Sequence, residues 1–359
     1  MKIAVYEYFT AVKALNDPSW IEGNSMLNAA IEDFRRAGYE VEVVESIPPK
    51  RPVDLVVLIA PSIGRTLYGL VKACEDEGLE VVDSPSTAVF LATDKALLSR
   101  NLELCGIKTP KTIVSRFENG LEAIEKALIT HSRVVVKPAD GDGCAGLCLV
   151  SDMVEARKAL NVVKQSSKLP YFLIQEFTDG LNLSVSILAC EDLVIPISIN
   201  MQNIHLEGPS GSSRYLGSVV PYEHNEKVLD VAVRAVRSLG NVKGFFGVDV
   251  VLKKNEPYVI EVNPRLTTSY LALREISEDN ILEMLVKSYF DKNSLKPIKL
   301  RGRAIVEKLV ADRDMVLSTL DVSLRLPSGA KLLSTIVDGR HAIRKGEAYA
   351  LYVMRDSYP

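Results

Sequence analysis

The sequence predicts an α/β protein, with an open parallel sheet at its N-terminal end, mixed helices and strands in the middle and a small β-rich C-terminal cap. Three observations carry this reading. Residues 1 to about 95 alternate short apolar runs with amphipathic segments, the signature of strand–helix–strand units. Between about 96 and 290, strands flank a glycine-rich tip and a polar hairpin turn. Beyond about 296, short strands and turns alternate with little helical pattern. The 359 residues are enough for two or three domains around a sizeable core.

The elements follow in order. KIAVYEY reads as a strand, and MLNAAIEDFRRAG (26–38) as a helix stopped by Gly38. YEVEVVES, DLVVLIAPS and LEVVDS read as strands, with LYGLVKACEDEG a helix between the last two. KALLSRNLELCG is a helix, KTIVS a strand, and EAIEKALITH a helix. RVVVKP and LCLVS flank the glycine-rich tip, and YFLIQEF is a further strand. IHLEGPSGSSRYLGS is irregular and EKVLDVAVRAVRSLG helical. GFFGVDVVLK and PYVIEVNP form a hairpin centred on Asn255, and LRLPSGAKLLS, VDGRHAIRKGE and AYALYVM build the cap. The expected domains are 1–92, 93–185, 186–295 and 296–359.

Composition narrows the function. Apolar residues make up 47% and charged residues 25%, as in soluble globular chains. A formal charge of −3 disfavours a nucleic-acid or membrane-surface partner. No apolar run reaches membrane-spanning length, and MKIAVYEYFT is a strand pattern, not a secretion signal. Five cysteines, an odd count in a large chain, read as reduced thiols of a cytoplasmic protein. Cys144 and Cys148 lack the second ligand pair that a zinc site needs.

Two stretches carry chemistry. In VIEVNPRLTTSY, Glu261, Asn263 and Arg265 take every second position and share one strand face. A hairpin centred on Asn255 sets Asp249 opposite Glu261, and like charges facing across a ladder destabilise it. A solvated acidic face would carry lysines between the acids; here the neighbours are Val250, Val251, Val259, Ile260 and Val262. Asp249, Glu261 and Asn263 are instead the oxygen set that a hard cation such as Mg²⁺ takes, with Mn²⁺ as an alternative. The second stretch is RVVVKPADGDGCAGLCLV. Lys137 ends a strand, and Gly141, Gly143 and Gly146 permit backbone N–H groups to approach a phosphate. An ordinary hairpin would read the same way, and GxxxxGK[ST] is absent. Lys95 opens a helix and, with Lys137, would supply charge to those phosphates. Gln175, Glu176 and Phe177 end a strand at a polar bend suited to hold adenine through backbone groups; an edge strand with exposed polar residues would read the same way.

This ordered set resembles the ATP-grasp superfamily of carboxylate–amine ligases. The carrying features are Lys95, VVVKP with Lys137, GDGCAG, IQEF with DG, GVD with Asp249, and EVNPR. The resemblance spans roughly residues 90 to 275. It implies an ATP-grasp fold, with ATP and Mg²⁺ bound by the lysines, the glycine loop and the acid–acid–amide set, and Arg265 neutralising the transferred phosphoryl group. Where the family often has a Glu for the ribose, this chain has Asn182.

YEYFT and EGNSMLNAAIEDFRRAGYEV are similar to a narrower group, the tyramine–glutamate ligases of methanofuran biosynthesis. That resemblance implies an amino acid and an amine as small-molecule partners, and leaves room for a homodimer. For glutamate, Arg214 is the candidate for the α-carboxylate, and Glu7 and Glu22 for the α-ammonium at the mouth of an open sheet. Tyr6, Tyr8 and Tyr215 are candidates for the phenol pocket, and His205 for the amine proton. A nucleotide-precursor synthase or carboxylase would call for more Arg and Lys in residues 1–90. A non-catalytic nucleotide module would tolerate loss of the metal ligands, all three of which are present. No GxGxxG follows the first strand, which argues against a dinucleotide enzyme.

Overall fold

The computed structural model describes residues 1–15 and 17–356. Its first sheet is parallel, in the order β2 (Glu40–Val43), β1 (Lys2–Glu7), β3 (Leu55–Ile59). Every residue of β3 is buried, as expected of a parallel strand covered on both faces. The helix Trp20–Arg36 buries Ile21, Met26, Leu27, Ala30 and Phe34 against this sheet. It begins at Trp20, ahead of the MLNAA pattern, and so takes Glu22 into its first turn. The strand expected at LEVVDS reduces to a single bridge, Val56 to Val81. The Asp83 carboxylate accepts the Leu58 N–H at 3.0 Å where a ladder bond would continue, and Ser84 then turns the chain onto Lys243.

The second sheet is antiparallel, in the order β4 (Thr112–Arg116), β7 (Tyr171–Glu176), β5 (Val134–Pro138), β6 (Cys148–Val150). Helices Gly120–Thr130 and Met153–Ser166 pack on it around Val134, Val136, Phe172 and Ile174. Asp152 caps the second of these helices by accepting the N–H groups of Val154 and Glu155.

The third sheet has eight antiparallel strands. Its order is β12 (Glu256–Asn263), β11 (Val242–Lys253), β8 (Leu181–Glu191), β9 (Leu193–His205), β10 (Arg214–Val220), β13 (Arg303–Val310), β17 (Ala348–Asp356), β15 (Lys331–Thr335). Helix Glu226–Arg237 lays Val228, Ala232 and Val236 on one face of it. Three strands of the β-rich C-terminal stretch thus extend this sheet; β14 (Met315–Ser318) and β16 (Arg340–Ile343) form a separate pair. A short helix, Thr319–Leu324, lies among them where strands and turns were expected, started by a capping box between Ser318 and Asp321.

Candidate active site

The carboxylate hairpin arises from a local irregularity. Its turn is two residues, Lys254 and Asn255, both at positive φ (50° and 62°), as a tight hairpin requires. Regular pairing from that turn would set Asp249 against Ile260. The register shifts between Asp249 and Val250, so Ile260 is extra and Asp249 pairs with Glu261 and Gly247 with Asn263. The expectation of Asp249 opposite Glu261 holds, but a bulge produces it, not a turn centred on Asn255. Bulges re-aim side chains beside active sites. Val250, Val259 and Val262 are at most 1% exposed, so the acids stand in a dry frame.

The result is strained electrostatically. Burial, and then the facing Glu261, push the Asp249 carboxyl up to about 7. Gln202 donates to Asp249 Oδ1 at 3.0 Å, and Asn263 Nδ2 lies 3.5 Å from Oδ2. Among the described residues no three His, Cys, Asp or Glu side chains gather as a metal cluster; the candidate cation site is two carboxylates and an amide. That small set suits Mg²⁺, which keeps waters and phosphate oxygens as its other ligands.

Basic groups converge on the acids from separate segments. Asp94 caps helix Lys95–Leu104 by accepting the N–H groups of Ala96 and Leu97, which fixes Lys95 at the helix start. Lys95 Nζ reaches Glu261 Oε1 at 3.1 Å and also donates to the Gly141 carbonyl. Burial works to lower its pKa, but Glu261 and Asp142 outweigh it and the net shift is upward. Lys137, 4% exposed on β5, donates to Gln175 Oε1 at 2.8 Å, and Gln175 donates in turn to Thr112. Burial, then the nearby Lys95, push Lys137 down to about 8.

The glycine-rich loop is fastened over these groups by two aspartates the sequence reading passed over. Asp142 accepts from Arg265 at 3.1 Å and from the Ser62 N–H at 2.5 Å. Asp140 accepts from the Gly64 N–H at 2.9 Å and from Ser167 at 2.7 Å. Burial raises the Asp142 pKa, yet Arg265 and Lys95 hold it below the usual value. The loop therefore touches the N-terminal domain on one side and the hairpin arginine on the other. Gly146 stays out of the cleft but shapes the loop: at φ +73° it lies where a Cβ would come 2.5 Å from Ser166 Cβ. All five cysteines are free thiols. Cys144 faces the cleft, and burial pushes its thiol up to about 12, which removes it as a thiolate.

These groups line one cleft of about 450 Å³, within the usual size of a small-molecule site. Lys95, Lys137, Gly141, Gly143, Gln175, Glu176, Phe177, Asn182, Asp249, Glu261, Asn263, Arg265, Glu7, Glu22 and Tyr215 all reach it. Arg133 lies 4.3 Å over the Phe177 ring, holding that edge in place. Glu7 is less free than expected. Both its oxygens cap the short helix that follows, from Phe9 and Thr10, and burial raises its pKa.

Four expectations fail. Arg214 turns out of the cleft and donates to the Gly346 carbonyl at 3.0 Å; strand alternation at a bulge gives the inward position to Tyr215. His205 is 53% exposed beside Glu207, outside the cleft, while its neighbours Ile204 and Leu206 line it. Tyr6 is core, packed with Val56 and Leu58. Tyr8 packs edge-on against Phe9, and Phe9 is the ring that reaches the cleft. Gln202 and Asp142 were missed; Asp142 alone had a local signal, a carboxylate set between two glycines.

The two-domain clamp of an antiparallel four-stranded sheet and a larger sheet around lysines and paired acids is that of an ATP-grasp protein. Residues 92–269, just under half of the chain, match the family model described as an ATP-grasp domain, and the chain carries an ATP-grasp domain over these residues. Among curated proteins it is similar to tyramine–L-glutamate ligase of Methanocaldococcus jannaschii, 28% identical over 272 residues, covering 75% of this chain and 72% of that protein. Among solved structures it resembles L-amino acid ligase from Bacillus licheniformis (TM-score 0.72, 16% identity, 99% and 94% covered). A carboxyaminoimidazole ribonucleotide synthase complexed with ATP gives the same TM-score at 14% identity, with 99% and 93% covered. At these identities the structures bear on fold alone. Among the described residues no helix is long and apolar enough to cross a membrane.

Proposed function

We propose that this chain is an ATP-dependent carboxylate–amine ligase that joins the γ-carboxylate of L-glutamate to tyramine, giving γ-glutamyltyramine, ADP and phosphate. The observation that carries the ligase reading is the pairing of Asp249 with Glu261 in a cleft also reached by Lys95, Lys137 and Arg265. The choice of substrates rests on the similarity to tyramine–L-glutamate ligase and on apolar lining from Phe9 and Met26 that would suit a phenol ring.

A carboxylate is a poor electrophile, so the reaction needs activation. A carboxylate oxygen attacks the γ-phosphorus of ATP, the bond to the bridging oxygen breaks, and ADP leaves with that electron pair. The amine then attacks the acyl phosphate carbon, phosphate departs, and the amine loses a proton. Asp249, Glu261 and Asn263 would hold Mg²⁺, whose charge, when bound, is shared with the nucleotide phosphates. Lys95 and Lys137 stand beside that set and would offset phosphate charge. Arg265, held by Asp142, would face the transferred group. Gln175, Glu176 and Phe177 would take the adenine and Asn182 a ribose hydroxyl. The glycine loop, pinned by Asp140 and Asp142, would keep water from the acyl phosphate.

The test mixes protein, MgATP, one acid and one amine, and follows ADP and product mass. Glutamate with tyramine is expected to give both. If another pair reacts and this one does not, the substrates are wrong and the ligase stands; if no pair reacts, the ligase reading falls.

A further inference from the structure

Lys308 on β13 has no part in the reading above; it does not itself line the cleft but lies directly behind two residues that do. Its ammonium pairs with Glu22 Oε1 and lies 5.5 Å from the centre of the Tyr215 ring. The hydroxyl of Thr268 donates to the other Glu22 oxygen. Glu22, Tyr215 and Thr268 line the cleft, and the two charged side chains are only 11% and 16% exposed. The pair is also within electrostatic reach of the hairpin side: Glu22 helps raise the Arg265 pKa, and Lys308 works to lower that of Cys144 in the glycine loop.

The pair is not needed to tie the helix Trp20–Arg36 to the rest of the molecule. Arg274 already does that, holding Asp33 of the same helix through Nε at 2.9 Å and Nη2 at 2.6 Å, with Glu32 beside it. Asn280 adds a bond to the Asp33 carbonyl at 2.7 Å. Glu22 and Lys308 are thus a second ion pair, with Glu22 in the cavity wall and Lys308 directly behind it. An α-amino acid carries an ammonium and a carboxylate on one carbon. It can exchange with such a pair and leave no charge unpaired, which a lone cation or a lone anion cannot do.

We propose that Lys308 anchors the α-carboxylate of the amino-acid substrate and Glu22 its α-ammonium, the zwitterion replacing their resting ion pair. This deepens the ligase reading and rests on it. It gives Lys308 the task that the sequence assigned to Arg214.

The test crosses variants with analogues. With tyramine as the amine, wild type, Lys308→Met, Lys308→Arg and Glu22→Gln are assayed on glutamate, on glutarate, which lacks the ammonium, and on 4-aminobutyrate, which lacks the α-carboxylate. If the wild type prefers another amino acid, its own deamino and decarboxy analogues are used. Wild type is expected to favour the amino acid over each analogue by at least about tenfold in kcat/KM. Lys308→Met is expected to lose the preference over the decarboxy analogue and keep that over the deamino one. Glu22→Gln should do the reverse, and Lys308→Arg should restore part of the lost preference. If Lys308→Met keeps both preferences, or both fall together in folded protein, the anchor is wrong. If the wild type ligates no α-amino acid the anchor is also wrong, and MgATP titration of the same protein then shows whether nucleotide binding survives it.

Discussion

The two ends of the cleft are built differently. At the hairpin end, Asp249, Glu261, Asn263 and Arg265 stand within one β-hairpin and the residues just after it, and like charges are forced together in a dry frame. At the other end, Glu7, Glu22, Tyr215 and Lys308 come from four separate elements, and each polar group already has a partner: Glu7 has Phe9 and Thr10, Tyr215 has Ser218, and Glu22 has Lys308. A site under electrostatic tension invites a cation. A site whose charges are already paired invites a ligand that can exchange with the pair.

The first way to break this comparison is to remove a charge at the tense end. Glu261→Gln should lower kcat by about 10²–10³-fold, the loss seen when one electrostatic element of a reaction centre is deleted, while the melting temperature stays close to wild type. Full activity in a folded Glu261→Gln protein would remove this end from the chemistry.

The second concerns pH. Because its pKa is raised in the folded protein, Asp249 binds a proton there that the unfolded chain has released. Metal-free stability should therefore fall as pH rises from about 4 to about 7. Denaturant melts across that range should show the fall in wild type and a flatter profile in Asp249→Asn. An equal slope in both would mean the acids are not in conflict.

A smaller effect belongs to the loop between the two ends. Asp142→Asn keeps a polar group but loses the ion pair to Arg265. Ligation should slow about tenfold, as for a loss of roughly 1.4 kcal/mol, and ATP hydrolysis without product should rise as water enters. Unchanged coupling of ADP to product would show that the latch does not seal the site. Smallest of all, Arg214→Ala should change kcat/KM less than about threefold, since its bond to Gly346 lies outside the cleft. A large loss would return Arg214 to substrate binding.

The difference in construction also explains what the sequence disclosed. The hairpin end was legible because polar residues at every second position of an apolar strand leave a local mark, and Lys137 with its glycines does the same. The bulge at Ile260 left none, and the correct pairing was reached through a turn one residue too long. At the other end alternation decides single residues: Arg214 and Tyr215 are adjacent, one faces the cleft, and a bulge in the ladder settles which. Lys308 is an unremarkable lysine in RAIVEKLV until the sheet order brings β13 beside β10. The start of helix Trp20–Arg36, which was read from residue 26, was hidden because the segment before Met26 has no clear apolar period. Asp83 took over a ladder bond that a strand at LEVVDS would have made, which pattern alone does not reveal.

The central claim is that the paired carboxylates gain their purpose from a divalent cation shared with a nucleotide. Titration calorimetry of ATP, with and without Mg²⁺, on wild type and Glu261→Gln tests it directly. Mg²⁺ should tighten ATP binding to the wild type by at least about tenfold, and that gain should vanish in the variant. An equal gain from Mg²⁺ in both proteins would contradict the account.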